Sequence, residues 1–120
     1  MAATPPDSTD LRLIDLCAVA EVPPGTMKLC DVDDEIVLVT NIGGEFHASQ
    51  GVCSHEYYEL DRGVLTGDSV LCTLHLSRFS LIDGAVTDPP AELPLVIYPV
   101  VVEGGRVLIR VPAGPLEVNR

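Results

Sequence analysis

The sequence predicts an all-β protein, an antiparallel β-sandwich of short strands, and three observations predict it. Hydrophobic residues make up 47% of the 120 residues while aromatic ones make up only 4%. Val, Leu and Ile must therefore supply nearly all the buried area, and β-branched side chains favour strands. Apolar segments are short and are punctuated by turn residues about every 8 to 12 positions, the spacing of a sandwich or barrel. Helix is scarce: the one stretch with weak helical character, Cys17 to Glu21, runs at once into Val22-Pro23-Pro24-Gly25 and must stop there.

Taken in order, residues 1–10 are polar, carry Pro5 and Pro6, and are expected as a loosely held tail. Residues 11–112 form the expected domain and residues 113–120 a C-terminal tail. Strands are expected at Leu11 to Leu16, Thr26 to Val32, Glu35 to Asn41, Glu45 to Ala48, Ser69 to Cys72, Arg78 to Ile82, Ala85 to Thr87, Leu95 to Glu103 and Arg106 to Val111. Gly43-Gly44, Asp83-Gly84 and Gly104-Gly105 each sit between two such runs and supply the positive φ of tight hairpins. In the last strand Val107, Ile109 and Val111 share one face and Arg106 and Arg110 the other, the pattern of a half-buried strand. Gln50 to Asp68 lacks alternation and reads as a long loop, a feature that is usually functional in a compact domain.

Charge and cysteine usage narrow the function. The chain has 18 acidic and 7 basic residues, for a formal charge of -11. Seven scattered cations cannot neutralise a nucleic-acid backbone, whereas a basic protein partner suits the excess. The longest apolar run, Leu93 to Val102, contains Pro94 and Pro99 and is short of the roughly 20 residues of a spanning helix. The amino terminus has neither a basic n-region nor an apolar h-region. A cytoplasmic, membrane-free monomer is expected. In such a compartment four cysteines suit metal ligation or free thiols better than a disulfide framework.

The informative residues are Cys53-Ser54-His55 and Cys72-Thr73-Leu74-His75, with the sixteen residues Glu56 to Leu71 between them. Each pair offers one thiolate and one imidazole. In an extended segment residues two apart project to one side, so Cys53 and His55 can face a common centre, and a tight turn does the same for Cys72 and His75. Tetrahedral zinc sites normally take two cysteines from one pair and two histidines from another. Mixed pairs favour a binuclear cluster in which each loop gives one ligand to each iron. A zinc-stabilised interaction module stays open as the non-redox alternative, and a Cys-His hydrolase leaves the second pair unexplained.

With Cys-x-His, sixteen residues and Cys-x-x-His, the chain resembles the Rieske iron-sulfur family over about Leu11 to Pro112. The likeness includes Val22-Pro23-Pro24-Gly25, Arg78-Phe79, Asp83-Gly84 and Asp88-Pro89-Pro90. Within the family it is most similar to the small ferredoxins of bacterial aromatic-ring-hydroxylating dioxygenases. The resemblance implies a Rieske-like sandwich with a small cluster-binding subdomain built from two loops at about residues 50–90. It also implies one [2Fe-2S] cluster, with Cys53 and Cys72 on one iron and His55 and His75 on the other.

A cluster with two neutral imidazoles starts less negative than an all-thiolate one and accepts an electron more readily. Rieske centres therefore span about -150 to +300 mV, against about -400 mV for plant-type ferredoxins. The disulfide that clamps the loops in the proteins of respiratory cytochrome bc complexes would fall at Tyr58 and Leu74, and is absent. Of the two hydroxyls that those relatives direct at cluster sulfurs, Ser77 keeps one and Phe79 removes the other. The low end of the range is expected. Leu76 stands where glycine is usual and Thr73 where proline is frequent; a leucine resists positive φ, so the loop at Leu76 is expected either to depart from the common form or to use Leu76 as an apolar docking contact. Pro89 and Pro90 are expected to wall the site, and Tyr57 and Tyr58 to shield it or pack its loop. His47, Cys17 and Cys30 read as structural.

Three histidines, His47, His55 and His75, cannot furnish a second mononuclear iron once two bind the cluster. No G-x-G-x-x-G is present for a nicotinamide. The implied protein is not an enzyme. It is an electron carrier between a flavin-containing NAD(P)H reductase and a terminal oxygenase, with the small subunit of another reductase such as nitrite reductase as the alternative.

Overall fold

Thr40 and Asn41 are buried at the end of a strand in which Val37, Leu38 and Val39 are buried as well. A strand shielded on both faces is the centre of a layered structure. The computed structural model describes residues 11–74 and 76–119; the expected tail at residues 1–10, His75 and Arg120 lie outside the described residues. Among the described residues eleven strands run in order: β1 (Leu11–Ala18), β2 (Met27–Val32), β3 (Glu35–Ile42), β4 (Glu45–Gln50), β5 (Val64–Thr66), β6 (Ser69–Cys72), β7 (Ser77–Ser80), β8 (Val86–Asp88), β9 (Ile97–Tyr98), β10 (Val100–Glu103) and β11 (Arg106–Pro112). They form three antiparallel sheets, β1-β11-β10, β2-β3-β4-β9 and β5-β6-β7-β8. Only two short 3-10 turns interrupt them among the described residues, at Val19–Glu21, within the stretch of weak helical character, and at Leu60–Arg62.

Strand alternation sorts the core. Val37 and Ala48 from the middle sheet meet Ile109 and Val111 of the first sheet, with Val32, Tyr98 and Leu116 completing that layer. Val39 meets Val107 together with Cys17, Val22 and Cys30. Leu38 points the other way, into the cluster of Val70 and Phe79 of the third sheet, Leu81 just beyond β7, and Cys53 and Cys72. Leu38 thus pins the small subdomain to the sandwich; truncating such a buried leucine to alanine costs about 2–5 kcal/mol.

The all-β sandwich with a small subdomain is as expected, and the differences have local causes. The expected strand Leu95 to Glu103 is two strands: Ile97–Tyr98 pairs with β4 and Val100–Glu103 with β11. Pro99 has no N–H to continue a ladder, so the chain changes sheets there, and its carbonyl accepts the Arg110 N–H at 2.9 Å. The loop expected across Gln50 to Asp68 contains the strand Val64–Thr66, which pairs with Ser69–Cys72 around Gly67, φ 60°. Residues 113–119, expected as a tail, fold back on the sandwich. Leu116 is buried, the Tyr98 hydroxyl donates to Glu117 O at 2.6 Å, and Asn119 Nδ2 donates to Pro94 O at 2.9 Å. On the last strand the expected faces hold: Val107, Ile109 and Val111 are buried while Arg106 pairs with Asp15 at 3.0 Å.

Candidate metal centre

Three loops converge at the end of the third sheet. The first leaves β4 through Gly51, whose N–H donates to Ile36 O at 2.7 Å. Only glycine fits there, because a β-carbon would meet Ile36 Cγ2 at 2.7 Å and Ile36 O at 2.9 Å. The loop then closes on itself: Cys53 N donates to Tyr58 O at 3.0 Å, Leu60 N donates to Gly51 O at 2.8 Å, and Val52 and Glu59 form an antiparallel bridge. Cys53 is thereby turned into the core, 3% exposed, while His55 stays at the surface.

The second loop joins β6 to β7. Cys72 and Ser77 are register partners at its base, and Leu76 N donates to Cys72 O at 2.9 Å. Cys72 is 2% exposed and shares one core cluster with Cys53. Leu76 takes φ 66°, in the left-handed region that glycine enters without steric penalty, and its side chain is exposed.

The third loop, Pro89 to Pro94, is tied to each of the other two by one serine. Ser54 Oγ donates to Leu93 O at 2.5 Å. Ser77 Oγ, 1% exposed, accepts the Ala91 N–H at 3.0 Å. A hydroxyl that accepts from Ala91 keeps its own proton to donate. Ala91 belongs to the same core cluster as the two cysteines, and Pro90 lines, with Ser54, His55, Glu92 and Leu93, a depression of about 360 Å³. Pro90 is therefore part of the wall of this depression.

A direct tie also joins the first two loops. The Tyr58 hydroxyl lies 3.0 Å from Thr73 Oγ1, and Thr73 in turn donates to Arg62 O at 3.3 Å. Tyr58 packs against the core cluster while Tyr57 is 71% exposed, so the two tyrosines differ in role. Ser54, Thr73 and Leu93 were not singled out from the sequence for these ties; only the position of Ser54 inside Cys53-Ser54-His55 hinted at one.

The remaining candidates lie elsewhere. His47 Nε2 sits 2.8 Å from Glu45 Oε1 on β4. Cys17 and Cys30 are buried between the first two sheets. Burial pushes both thiols up, Cys30 to about 12, with the neighbouring Cys17 adding to its rise.

The donor set suits a cluster with mixed ligands. Two cysteines from two different loops lie in one water-poor core cluster, soft ligands of the kind iron-sulfur centres use. His55, two positions after Cys53 in the chain, is exposed. His75, the fourth expected ligand, lies outside the described residues.

The Rieske [2Fe-2S] domain family matches residues 12–99. The chain is 42% identical over 94 residues to the biphenyl dioxygenase ferredoxin subunit of Pseudomonas sp. (strain KKS102), covering 78% of this chain and 86% of that one. It is 39% identical over 112 residues to the ferredoxin component of the alkene monooxygenase system of Xanthobacter autotrophicus (strain ATCC BAA-1158 / Py2), covering 92% and 91%. Among solved structures it is similar to a chain in the complex of reduced oxygenase and oxidized ferredoxin in carbazole 1,9a-dioxygenase, with TM-score 0.76, 28% identity and coverage of 81% and 91%.

Proposed function

The chain belongs to the Rieske [2Fe-2S] family, and from that premise we infer that it is the electron-carrying ferredoxin of an aromatic-ring-hydroxylating dioxygenase system rather than a catalyst. It carries one [2Fe-2S] cluster. Cys53 and Cys72 would hold one iron, and His55 and His75 the other. When bound, the cluster supplies a single-electron redox couple, raised above that of all-thiolate ferredoxins by its imidazole ligands.

The chain's own residues do the remaining work. The first sheet-ward layer, Leu38, Leu60, Val70 and Phe79, is fully buried and keeps water from the thiol side. Ser54 and Ser77 hold the third loop against both ligand loops and would brace the residues that hold the cluster. His55 is exposed, so a partner can approach the site from that side.

The observation that carries the reading is the convergence of Cys53 and Cys72, each from its own loop, in one buried cluster. The partners are a flavin-containing NAD(P)H reductase on the donor side and the terminal oxygenase on the acceptor side, met by a cytoplasmic monomer. Identity of 42% to a dioxygenase ferredoxin subunit favours this over the small subunit of another reductase. Among the described residues no helix is long and apolar enough to cross a membrane.

The test is reconstitution. The purified chain is expected to be coloured, with the visible and electron-paramagnetic-resonance spectra of a Rieske centre, and product formation by reductase plus oxygenase is expected to require it. A colourless protein holding zinc, or turnover indifferent to its omission, would overturn the reading.

A further inference from the structure

Arg110 stands apart from the other cations of the chain. Of the Lys and Arg side chains among the described residues, Arg12, Lys28, Arg62, Arg78 and Arg106 each lie 3.9 Å or less from a carboxylate, and Arg110 alone does not. Acids are not scarce, since the sequence holds 18 of them. Arg110 is exposed near the end of β11, and it borders a cavity of about 310 Å³.

The cavity lies where the approach of β9, the end of β11 and the folded-back C-terminal segment meet. Tyr98, Val111 and Leu116 line it and are buried, and they belong to a core cluster that holds neither Cys53 nor Cys72. Pro99, Pro112 and Pro115 line it as well; each brings rigid apolar surface and no N–H. Two polar groups of these walls are already engaged. The Tyr98 hydroxyl donates to Glu117 O at 2.6 Å, and Arg110 N donates to Pro99 O at 2.9 Å. A ligand therefore meets an apolar recess with the Arg110 guanidinium at its border, and with Glu117 also on the lining. Small-ligand sites are built this way, mostly apolar with a few placed polar groups, and their volumes run from about 300 to 1,000 Å³.

We propose that this cavity binds a monocyclic aromatic carboxylate, with its ring in the apolar recess and its carboxylate on the Arg110 guanidinium. The guanidinium presents paired N–H donors that match the two oxygens of a carboxylate. A flat ring has little conformational freedom to lose on entering a small rigid space. A phosphorylated ligand would bring more charge than one cation beside Glu117 can match. The chain's charge of -11 repels anions at long range, so affinity has to come from contact with Arg110. The site uses none of the cluster ligands, and the inference stands independently of the electron-carrier reading.

The test is calorimetric titration of the cluster-loaded protein with benzoate, with benzamide as the uncharged analogue. Benzoate is expected to bind saturably and to raise the melting temperature, as a ligand of the folded state must. Benzamide is expected to bind at least about tenfold more weakly. Arg110→Gln is expected to lose about tenfold in benzoate affinity, with the ligand-free melting temperature and the cluster spectrum unchanged. Glu117→Gln removes the neighbouring negative charge and is expected to tighten benzoate binding, a gain that a folding defect cannot produce. Failure of benzoate to bind saturably, equal affinity for benzamide, wild-type affinity in Arg110→Gln, or no gain in Glu117→Gln would each overturn the proposal.

Discussion

The Tyr58 hydroxyl and Thr73 Oγ1 lie 3.0 Å apart and join the two ligand loops. The tie continues as Thr73 donates to Arg62 O at 3.3 Å, so the tyrosine donates and the threonine relays. A hydrogen bond of this kind contributes about 1 kcal/mol, less than the roughly 2–4 kcal/mol of a covalent clamp. Tyr58→Phe is expected to lower stability by about that amount and to speed bleaching of the visible chromophore under chelator. Thr73→Val should do the same, and the double variant should lose no more than the worse single one, since both remove one link. Denaturant titration and bleaching rates check this; additive losses would mean that the residues act separately.

Ser77 is expected to be the most costly hydroxyl of the site. It is 1% exposed and is the acceptor for the Ala91 N–H, so Ser77→Ala strands a buried donor at about 1–3 kcal/mol. The proton that Ser77 retains is available to an acceptor at the centre of the site, where it would favour the more negative reduced state. Ser77→Ala is therefore expected to lower the midpoint potential, by about 60 mV if the interaction is worth tenfold in the one-electron equilibrium. Redox titration reads the shift. An unchanged potential with lowered stability would confine Ser77 to the Ala91 contact.

Which parts of this were legible in the sequence follows from how far apart the interacting residues are. Val107, Ile109 and Val111 announce their face because alternation is local, and Gly43-Gly44 announces its hairpin for the same reason. The strand Val64–Thr66 carries no such signal: three residues between Gly63 and Gly67 show no period, and the pairing with Ser69–Cys72 decides it. Pro99 was visible, but an unbroken apolar run concealed that the chain changes partners there. At the site, Cys53 and Cys72 were legible because cluster chemistry demands a fixed spacing. The ties of Ser54 to Leu93 and of Ser77 to Ala91 were not, since they join segments 39 and 14 residues apart through backbone atoms that any sequence possesses. Leu76 looked incompatible with positive φ from its type alone; it takes φ 66° while its N–H donates to Cys72 O.

The carboxamide of Gln50 is expected to make the C-terminal segment part of the fold. Nε2 donates to Val52 O at 2.9 Å and to Asn119 O at 2.6 Å, and Oε1 accepts from Val96 N at 2.8 Å and Asn119 N at 3.0 Å. One buried side chain thus ties the start of the first ligand loop to the approach of β9 and to the last described residues. Gln50→Leu preserves bulk but strands several backbone groups and should cost about 3 kcal/mol. Truncation after Pro115 removes Leu116 and the Asn119 bonds and should also destabilise the chain. Thermal melts check both; a truncated protein with wild-type stability would show that residues 116–119 add nothing.

The last expectation concerns alkaline pH. Burial raises the Cys17 thiol and raises Cys30 from 9.0 to about 12. Between those two values the unfolded chain has lost the Cys30 proton while the folded chain retains it, so the folded state binds more protons. Stability must then fall with rising pH across that window, whereas below about 9 the contribution is fully present. Cys30→Ala leaves a cavity and a lower starting stability, but its decline between pH 9 and 12 should be shallower than wild type by up to one proton's worth. For the same reason the thiols of Cys17 and Cys30 should resist alkylation at pH 8 in the folded protein, because the thiolate is the nucleophile and both groups are buried. Denaturant titrations across pH, with mass-spectrometric counting of alkylated cysteines, read both effects. Equal slopes in wild type and Cys30→Ala would place the alkaline transition on other groups.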